Sequence, residues 1–224
     1  MDPVDLTRRI EPGMPVYPGD PGVTAEASAT MDDDGYRVTH LSFTTHVGTH
    51  IDAPAHMEPD GATLDAFGVG DFRFAARLVD LAGDADADRG LDAREPVTPA
   101  VLPDGDALDA DTDMLVLRTG WGDHWGEERY FDHPYLTAAA ARHVADLGCA
   151  VGLDTINPDP TPTDRAGDDE PEGVPAHHEL LGAGRFVVEN LRLPGTLPER
   201  FVLRSFPLRV DADGAPVRAV AADR

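Results

Sequence analysis

The sequence predicts a sheet-based domain of the α/β or α+β class, because strand-like segments outnumber helical ones. The predicted strands cover residues 38–52, 73–81, 114–118, 150–154, 185–191 and 201–210. One helix is predicted from Thr137, a suitable N-cap, through an alanine-rich body to Leu147, with Gly148 as its C-terminal stop. At 224 residues the chain fits one domain, residues 1–224.

The first predicted strand, residues 38–52, has a period of two. Its even positions include His46, His50 and Asp52, which therefore share one face. The apolar residues fall on odd positions: Leu41, Phe43, Val47 and Ile51. A straight strand would separate His46 from His50 by roughly 13 Å, too far for one metal ion with bonds of about 2 Å. Gly48 can bend the strand, so we expect a kink there to bring the three side chains to one point.

Imidazole and carboxylate are ligands that zinc, manganese and iron accept, and an open coordination position can activate water. The alternative is a strand that carries three surface histidines. The spacing alone favours the metal site.

Two stretches read as loops, residues 82–113 and 157–175. The first contains a short predicted helix near 99–102. The second has five prolines and leads directly into His177, which begins a helix-like segment. Long loops inside a compact domain are usually functional or disordered, so we expect this one beside the functional site.

Glu189 lies inside the apolar strand 185–191. A carboxylate buried there without a partner would be costly. Its partner is either a metal ion or one of the eighteen basic residues, all of which are arginine.

Residues 120–136 hold five of the fourteen aromatic residues in a segment too rich in glycine and charge to be a core element. Two interpretations stay open, an aromatic wall for a ring-bearing substrate and a contact between subunits.

The formal net charge is −24. Nucleic-acid binding is therefore improbable, because so acidic a chain repels phosphate. Carboxylates spread along the chain favour a halophile's protein, whose self-repulsion concentrated salt would screen. The alternative, an acidic partner-binding face, would concentrate the charge in one tail.

Cys149 is the only cysteine, which favours a reducing compartment. The N-terminus lacks the pattern of a secretion signal, and no stretch approaches eighteen uninterrupted apolar residues. We therefore expect a cytoplasmic protein that does not span a membrane.

The pattern His46-x-Gly48-Thr49-His50-x-Asp52-Ala53-Pro54-x-His56 resembles the signature of the cyclase family, whose best-defined members are the bacterial kynurenine formamidases. Further similar segments follow in the family's order at residues 15–20, 118–121, 152–154, 177–189 and 214–218. The resemblance implies a three-layer β/β/α domain that assembles as a homodimer or homotetramer.

The same resemblance implies two divalent metal ions, usually zinc and in some members manganese. The first ion would be bound by His46, His50 and Asp52, with Asp52 also reaching the second. His177 would bind the second ion, and Glu189 would lie between both. The neighbouring His178 does not have the family's spacing to Glu189 and is given no ligand role.

By resemblance, the activity is hydrolysis of a linear amide, such as the aryl formamide N-formylkynurenine, by water that the metals activate. His56 would be the catalytic acid/base. Tyr17 stands where kynurenine formamidases carry a tryptophan that shapes the substrate pocket, so we expect it to bind substrate. Three alternatives stay open: hydrolysis of a cyclic or other small amide, as in isatin hydrolases; a polyketide-type cyclase or dehydratase; and a non-catalytic metal-binding protein.

Overall fold

A mixed eight-stranded sheet dominates the computed structural model, which describes residues 2–83 and 90–223. The strands are β1 (Val4–Asp5), β2 (Thr24–Ala29), β3 (Val38–Ser42), β4 (His50–Asp52), β5 (Arg73–Asp80), β6 (Pro96–Val97), β7 (Met114–Arg118), β8 (Tyr135–Leu136), β9 (Ala150–Leu153), β10 (Val187–Glu189), β11 (Arg200–Pro207) and β12 (Gly214–Ala222). The α-helices are α1 (Met31–Asp34), α2 (Ala138–Asp146) and α3 (Pro175–Gly182).

The large sheet has the order β1-β12-β11-β5-β7-β9-β10-β4. Since β4 also pairs with β12, the strands from β12 to β4 close into a barrel-like ring. Neighbours along β5, β7, β9 and β10 are parallel, so their carboxyl ends lie at one edge. The antiparallel β4 joins that edge by pairing with β10.

Two apolar cores separate three layers. The larger core fills the space inside the ring, with Ile51, Val188 and Phe201 among its buried side chains. The second core lies between β7, β9 and β10 and the helices α2 and α3, where Leu153 meets Leu180. The expected β/β/α arrangement of an α/β domain is therefore confirmed.

Most of the predicted elements are confirmed. Strands β5, β7, β9 and β11 lie within the predicted segments or differ by a few residues, and β10 is shorter than predicted. Helix α2 begins after Thr137, whose side chain accepts a hydrogen bond from the backbone N–H of Ala140. Gly148 follows the helix with a φ of 80°. A 3₁₀ turn at Pro99–Val101 corresponds to the short helix predicted there.

The prediction of one strand over residues 38–52 is wrong. Among the described strands, β3 pairs with β2 alone in a separate two-stranded sheet, and β4 belongs to the large sheet. Gly48, with a φ of 58°, interrupts the extended chain between them. Leu41, on β3, is 50% exposed rather than buried. A period of two specifies alternating faces, but it does not specify which sheet each half joins.

The sequence did not predict β12, although it is the longest strand. Pro216 lies within it, and proline normally argues against a central strand because it cannot donate to the ladder. In the β12–β4 pair Pro216 stands opposite His50.

The interpretation of residues 120–136 as lying outside the core is wrong. Trp121, Tyr130 and Tyr135 are at most 7% exposed, and Trp121 and Tyr130 form a small core with Ile156. Consecutive 3₁₀ turns, Trp121–His124 and Glu128–Asp132, fold the rings inward.

Residues 84–89 of the predicted loop 82–113 lie outside the described part of the chain. Among the described residues, no helix has the length and apolar character that crossing a membrane requires.

Candidate metal centre

Sheet register brings three of the predicted donors onto one face. In the antiparallel pair of β4 and β10, Glu189 stands opposite His50. His50 and Asp52 point away from the ring interior, because the intervening Ile51 fills it. That outer face is the side on which α3 packs, and α3 contributes His177.

The five predicted metal donors lie close together. His50 Nε2 is 3.3 Å from Asp52 Oδ1 and 3.2 Å from Glu189 Oε2. His177 Nε2 is 3.2 Å from Glu189 Oε1 and 3.8 Å from Asp52 Oδ2. His46 Nδ1 is 2.8 Å from Asp52 Oδ1. Their ligand atoms form two groups that share Asp52, namely His46 with His50, and His177 with Glu189. We call these five residues the metal cluster.

Three buried atoms of the metal cluster make no hydrogen bond to any residue that the structure describes: His50 Nε2, Asp52 Oδ2 and Glu189 Oε1. Unsatisfied buried polar atoms are rare and costly in folded proteins. Each of these three is a ligand atom for a divalent ion, and each belongs to a residue that is at most 4% exposed. The donor set therefore fits a divalent metal ion.

Hydrogen bonds behind the cluster fix which imidazole nitrogen faces inward. His50 donates its Nδ1–H to the carbonyl oxygen of Gly48 at 2.8 Å, and His177 donates its Nδ1–H to Asp159 at 2.7 Å. In both rings this leaves Nε2 as the ligand atom. Such outer partners typically set the orientation and tautomer of metal-binding histidines.

Asp159 is a functional residue that the sequence did not reveal. Its buried carboxylate also accepts the backbone N–H groups of Ala176 and His177, at 2.7 and 3.0 Å, and so caps the start of α3. It lies in the proline-rich loop 157–175, which was expected beside the site. Asn157 and Val174, near the two ends of this loop, line the cavity in front of the metal cluster, so the expectation is confirmed for both ends of the loop.

Gly48 forms the turn that brings His46 beside Asp52. A Cβ atom at this position would lie 3.1 Å from Met14 Cε, in addition to the strain of the positive φ. Asn190, also in the left-handed region with a φ of 56°, donates from Nδ2 to the Gly48 carbonyl at 2.9 Å. The hydroxyl of Tyr130 in turn donates to Asn190 Oδ1 at 2.8 Å. The expected kink at Gly48 is confirmed, and buried hydrogen bonds secure it.

The imidazoles of the cluster stabilise the ionised forms of its two carboxylates. Burial raises the pKa of Asp52, but His50, His177 and His46 outweigh it and hold the pKa well below its ordinary value. Burial and Asp52 raise the pKa of Glu189, yet His177 and His50 lower it overall. Burial lowers the pKa of His46, but Asp52 and Asp213 outweigh burial and raise the pKa to about 9. Both carboxylates are therefore ionised at neutral pH.

A cavity of about 280 Å³ opens onto the cluster. Its lining includes Tyr17, Asp20, His46, His50, His56, Met57, Ile156, Asn157, Val174, His177 and Glu189. His56 ends the 3₁₀ turn Pro54–His56, and its ring centroid lies 4.0 Å from that of His46 and 5.7 Å from that of His177. Both Tyr17 and His56 thus face the space in front of the metal donors.

His178 is not part of the metal cluster, whereas Asp213 contacts one of its members. The side chain of His178 is 55% exposed and lies outside the cluster, with Nδ1 at 3.5 Å from Glu58 Oε1. Asp213, which the sequence did not reveal, lies between His46 and His56. It directly precedes segment 214–218, which carries the family likeness, but no pattern in the sequence links it to the histidines.

The Cyclase family model matches residues 4–160, which is more than half of the chain. The chain belongs to the Cyclase family. Among similar members, the kynurenine formamidase of Salinibacter ruber (strain DSM 13855 / M31) is 31% identical, over 98% of this chain and 97% of its own.

Solved structures extend the likeness. A potential metal-dependent hydrolase with cyclase activity shares 28% identity at a TM-score of 0.75, covering 100% of this chain and 98% of its own. An isatin hydrolase bound to the product analogue thioisatinate has a TM-score of 0.84 at 22% identity, covering 100% of this chain and 93% of its own. At that identity the isatin hydrolase shows the common Cyclase-family fold alone.

Proposed function

We propose that this Cyclase-family protein hydrolyses an aryl formamide such as N-formylkynurenine, giving kynurenine and formate. Near full-length likeness to kynurenine formamidases makes it a metal-dependent amide hydrolase. The observation that carries the proposal is the buried cluster with its unpartnered ligand atoms, which adjoins a cavity that His46, His50, His177, Glu189 and also His56 line.

The proposed cofactor is a pair of divalent ions, zinc in the first place and manganese as the alternative. His46, His50 and Asp52 would hold one ion and His177 the other, with Asp52 reaching both and Glu189 between them. Such ions, when bound, polarise an amide carbonyl and make water acidic enough to attack it near neutral pH. The grouping of ligand atoms around the shared Asp52 supports two ions rather than one.

His56 is proposed as the acid/base. Burial is the largest influence on the pKa of His56 and lowers it from the ordinary value, although Asp52 and Asp213 oppose that shift. Its imidazole is therefore neutral near pH 7 and able to take a proton from the attacking water. When the C–N bond breaks, the resulting imidazolium can return a proton to the departing amine nitrogen. Partial exposure suits this role, because the side chain, 24% exposed, faces both the buried donors and the cavity.

Tyr17 is proposed to bind the aromatic part of the substrate. It lines the cavity together with the apolar side chains of Met57, Ile156 and Val174. These residues offer an apolar surface to a ring, while the reactive amide would face the histidines and carboxylates at the other side of the cavity.

Formate release from N-formylkynurenine tests the proposal. The purified protein is assayed before chelation, after chelation, and after zinc or manganese is restored. We expect chelation to abolish formate release, a metal to restore it, and His56→Ala to lower kcat by at least about a hundredfold. His178→Ala is the matched control, because this exposed neighbour of His177 should keep full activity.

Tight metal binding without formate release would overturn the proposed substrate. Isatin and other small cyclic amides are then the substrates to assay. A product that contains no oxygen from ¹⁸O-labelled water would instead indicate the cyclase or dehydratase reaction.

We also propose that the protein works in concentrated salt, where screening relieves the repulsion among the charges that make up its net −24. The midpoint of thermal unfolding should rise as NaCl is raised from 0.1 to about 2 M. Over this range the Debye length falls to about 3 Å or less, so the repulsion between surface charges is largely screened. A midpoint that falls would contradict this proposal.

The homodimer or homotetramer and the cytoplasmic location stay predictions. Sedimentation analysis would test the oligomeric state.

A further inference from the structure

One carboxylate outside the metal cluster contacts both His46 and His56. Asp213 Oδ2 lies 2.9 Å from Nε2 of His46 and 3.2 Å from Nδ1 of His56. A single carboxylate oxygen can accept both N–H groups, since it carries two lone pairs. Asp213 therefore links a proposed metal ligand to the proposed acid/base, although more than 150 residues separate it from either in sequence.

The backbone and side chain of Asp213 are both held in place. Its carbonyl oxygen accepts the N–H of Ala53 at 2.8 Å, and the next residue, Gly214, pairs with Asp52 in the β12–β4 ladder. Oδ1 accepts a hydrogen bond from the hydroxyl of Thr45 at 3.2 Å. With one oxygen anchored by Thr45, the other is fixed toward the two rings.

Gly214 shows how closely this corner is packed. A Cβ atom there would lie 2.8 Å from His46 Cε1 and 3.1 Å from the backbone oxygen of Ile51. The absence of a side chain at Gly214 thus lets the chain approach His46 closely enough for Asp213 to reach both rings.

These contacts determine which imidazole nitrogens of His46 and His56 remain free to bind a metal ion or to exchange a proton. If Nδ1–H of His56 donates to Asp213, Nε2 is the nitrogen that can exchange a proton with a molecule in the cavity. If Nε2–H of His46 donates to Asp213, its Nδ1 is left for a metal ion beside Asp52, from which it lies 2.8 Å. One carboxylate would therefore select the tautomer of both rings.

We propose that Asp213 is a positioning residue that holds His56 with Nε2 toward the substrate and His46 with Nδ1 toward the metal. The inference rests on the proposed function for the role of His56. Asp213 could alternatively bind an ion itself, because one ligand atom each of His46, His56 and Asp213 lie within 4.8 Å of one another. The positioning role is favoured because the Asp213 oxygens already have hydrogen-bonding partners, unlike the orphaned atoms of the metal cluster.

The test compares Asp213→Ala and Asp213→Asn with the wild type in the zinc-loaded protein. Asp211→Asn is the matched control, because it removes the same charge from an exposed position two residues away. Asp213→Ala should lower kcat by about ten- to hundredfold with KM changed by less than about twofold, as losing an outer-sphere partner does. Asp213→Asn should lose less, since its amide oxygen can still accept both N–H groups.

Nitrogen-15 NMR of the imidazoles gives a readout that does not require turnover. The signal of His56, assigned by its absence in His56→Ala, should show the Nδ1–H tautomer in the wild type and in Asp213→Asn. In Asp213→Ala the Nε2–H tautomer should appear. Zinc content per chain should equal that of the wild type in Asp213→Asn, whose positioning contacts survive.

An unchanged His56 tautomer and unchanged kcat in Asp213→Ala would overturn the inference. A loss of one bound ion per chain in Asp213→Asn would overturn it as well, by making Asp213 a ligand. If the wild type fails to release formate, the proposed substrate is wrong, while the tautomer and the zinc content still decide the role of Asp213. Should Asp213→Ala not fold, Asp213→Leu, which also removes the acceptor but keeps a side chain of similar branched shape, provides the same NMR comparison.

Discussion

Two polar clusters among the described residues differ in the partners of their buried carboxylates. In the metal cluster the ionised carboxylates of Asp52 and Glu189 face only imidazoles, and three ligand atoms have no hydrogen-bonding partner among the described residues. In the second, which we call the arginine cluster, Asp132 and Glu170 pair with two guanidinium groups. Buried carboxylates are common to both, so the kind of partner distinguishes a metal site, with its imidazoles and unpartnered ligand atoms, from a structural ion-pair network with arginine.

The arginine cluster consists of Arg94, Asp132, Arg165 and Glu170. Arg94 contacts both carboxylates and also donates to the carbonyl oxygen of Thr161 at 3.1 Å, and Arg165 contacts Asp132. It thereby ties the chain near residue 94 to the loop 157–175, which carries the Asp159 that orients His177. We infer that the arginine cluster holds this loop as a structural ion-pair network, without chemistry of its own and independently of metal binding.

Removal of one carboxylate from the metal cluster should have the largest effect. Glu189→Gln keeps the shape but removes a proposed ligand of both ions. Activity should fall by more than about a hundredfold. Loss of an outer-sphere partner costs up to about that much, and loss of a direct ligand should cost more. In the metal-free protein His177 and His50 lower the pKa of Glu189 overall and so stabilise its ionised form, and the metal-free variant should therefore be somewhat less stable than the metal-free wild type at neutral pH.

Urea unfolding with and without a chelator measures this difference. For the wild type, zinc at a thousand times its dissociation constant should add about 4 kcal/mol per bound ion to the free energy of unfolding. Glu189→Gln should lose most of that increment. A variant that keeps the whole increment would mean that Glu189 does not hold the ion.

Removal of one cation from the arginine cluster should act on stability instead. Arg94→Met leaves the buried Asp132 and the largely buried Glu170 without their shared partner, and breaking such a pair costs about 3 kcal/mol. The loss should be equal in the presence and absence of a chelator. Zinc content in the folded variant should be unchanged, and a chelator-dependent loss would show that the two clusters are not separate.

A smaller effect is expected at the turn that delivers His46. Gly48→Ala should cost about 1 kcal/mol for the left-handed backbone, and the contact with Met14 should also displace His46 and weaken zinc binding. Gly148→Ala is the control, because Gly148 has a φ of 80° and no atom within 4 Å of an added Cβ. Isothermal titration should show weaker zinc binding in Gly48→Ala alone; equal affinity in both would exclude the displacement of His46.

The sequence predicted the elements whose pattern is local. Strands β5 and β7 are short segments rich in apolar residues, and α2 has an N-cap residue and a terminal glycine. The metal donors could be named because His46, His50 and Asp52 lie within one short motif, and the family resemblance supplied His177 and Glu189. Their proximity in the structure agrees with that assignment.

The sequence could not reveal what depends on distant pairing. Asp213 reaches His46 and His56 only because β12 pairs with β4. The sequence did not predict β12, because Pro216 lies within it and proline argues against a central strand. Asp159 accepts a hydrogen bond from the first turn of α3, but a loop without periodic pattern separates the two in sequence. The aromatic rings of residues 120–136 were misjudged because glycine-rich 3₁₀ turns can bury side chains that composition assigns to the surface.

Titration of the chelated protein with zinc is the most direct measurement, performed on the wild type, Glu189→Gln and Arg94→Met under identical conditions. If the metal cluster is a two-ion centre, the wild type and Arg94→Met bind two zinc ions per chain, and Glu189→Gln binds fewer or binds them far more weakly. A wild type that binds no zinc or manganese, or a Glu189→Gln variant that binds both ions as tightly as the wild type, would contradict the assignment of this cluster.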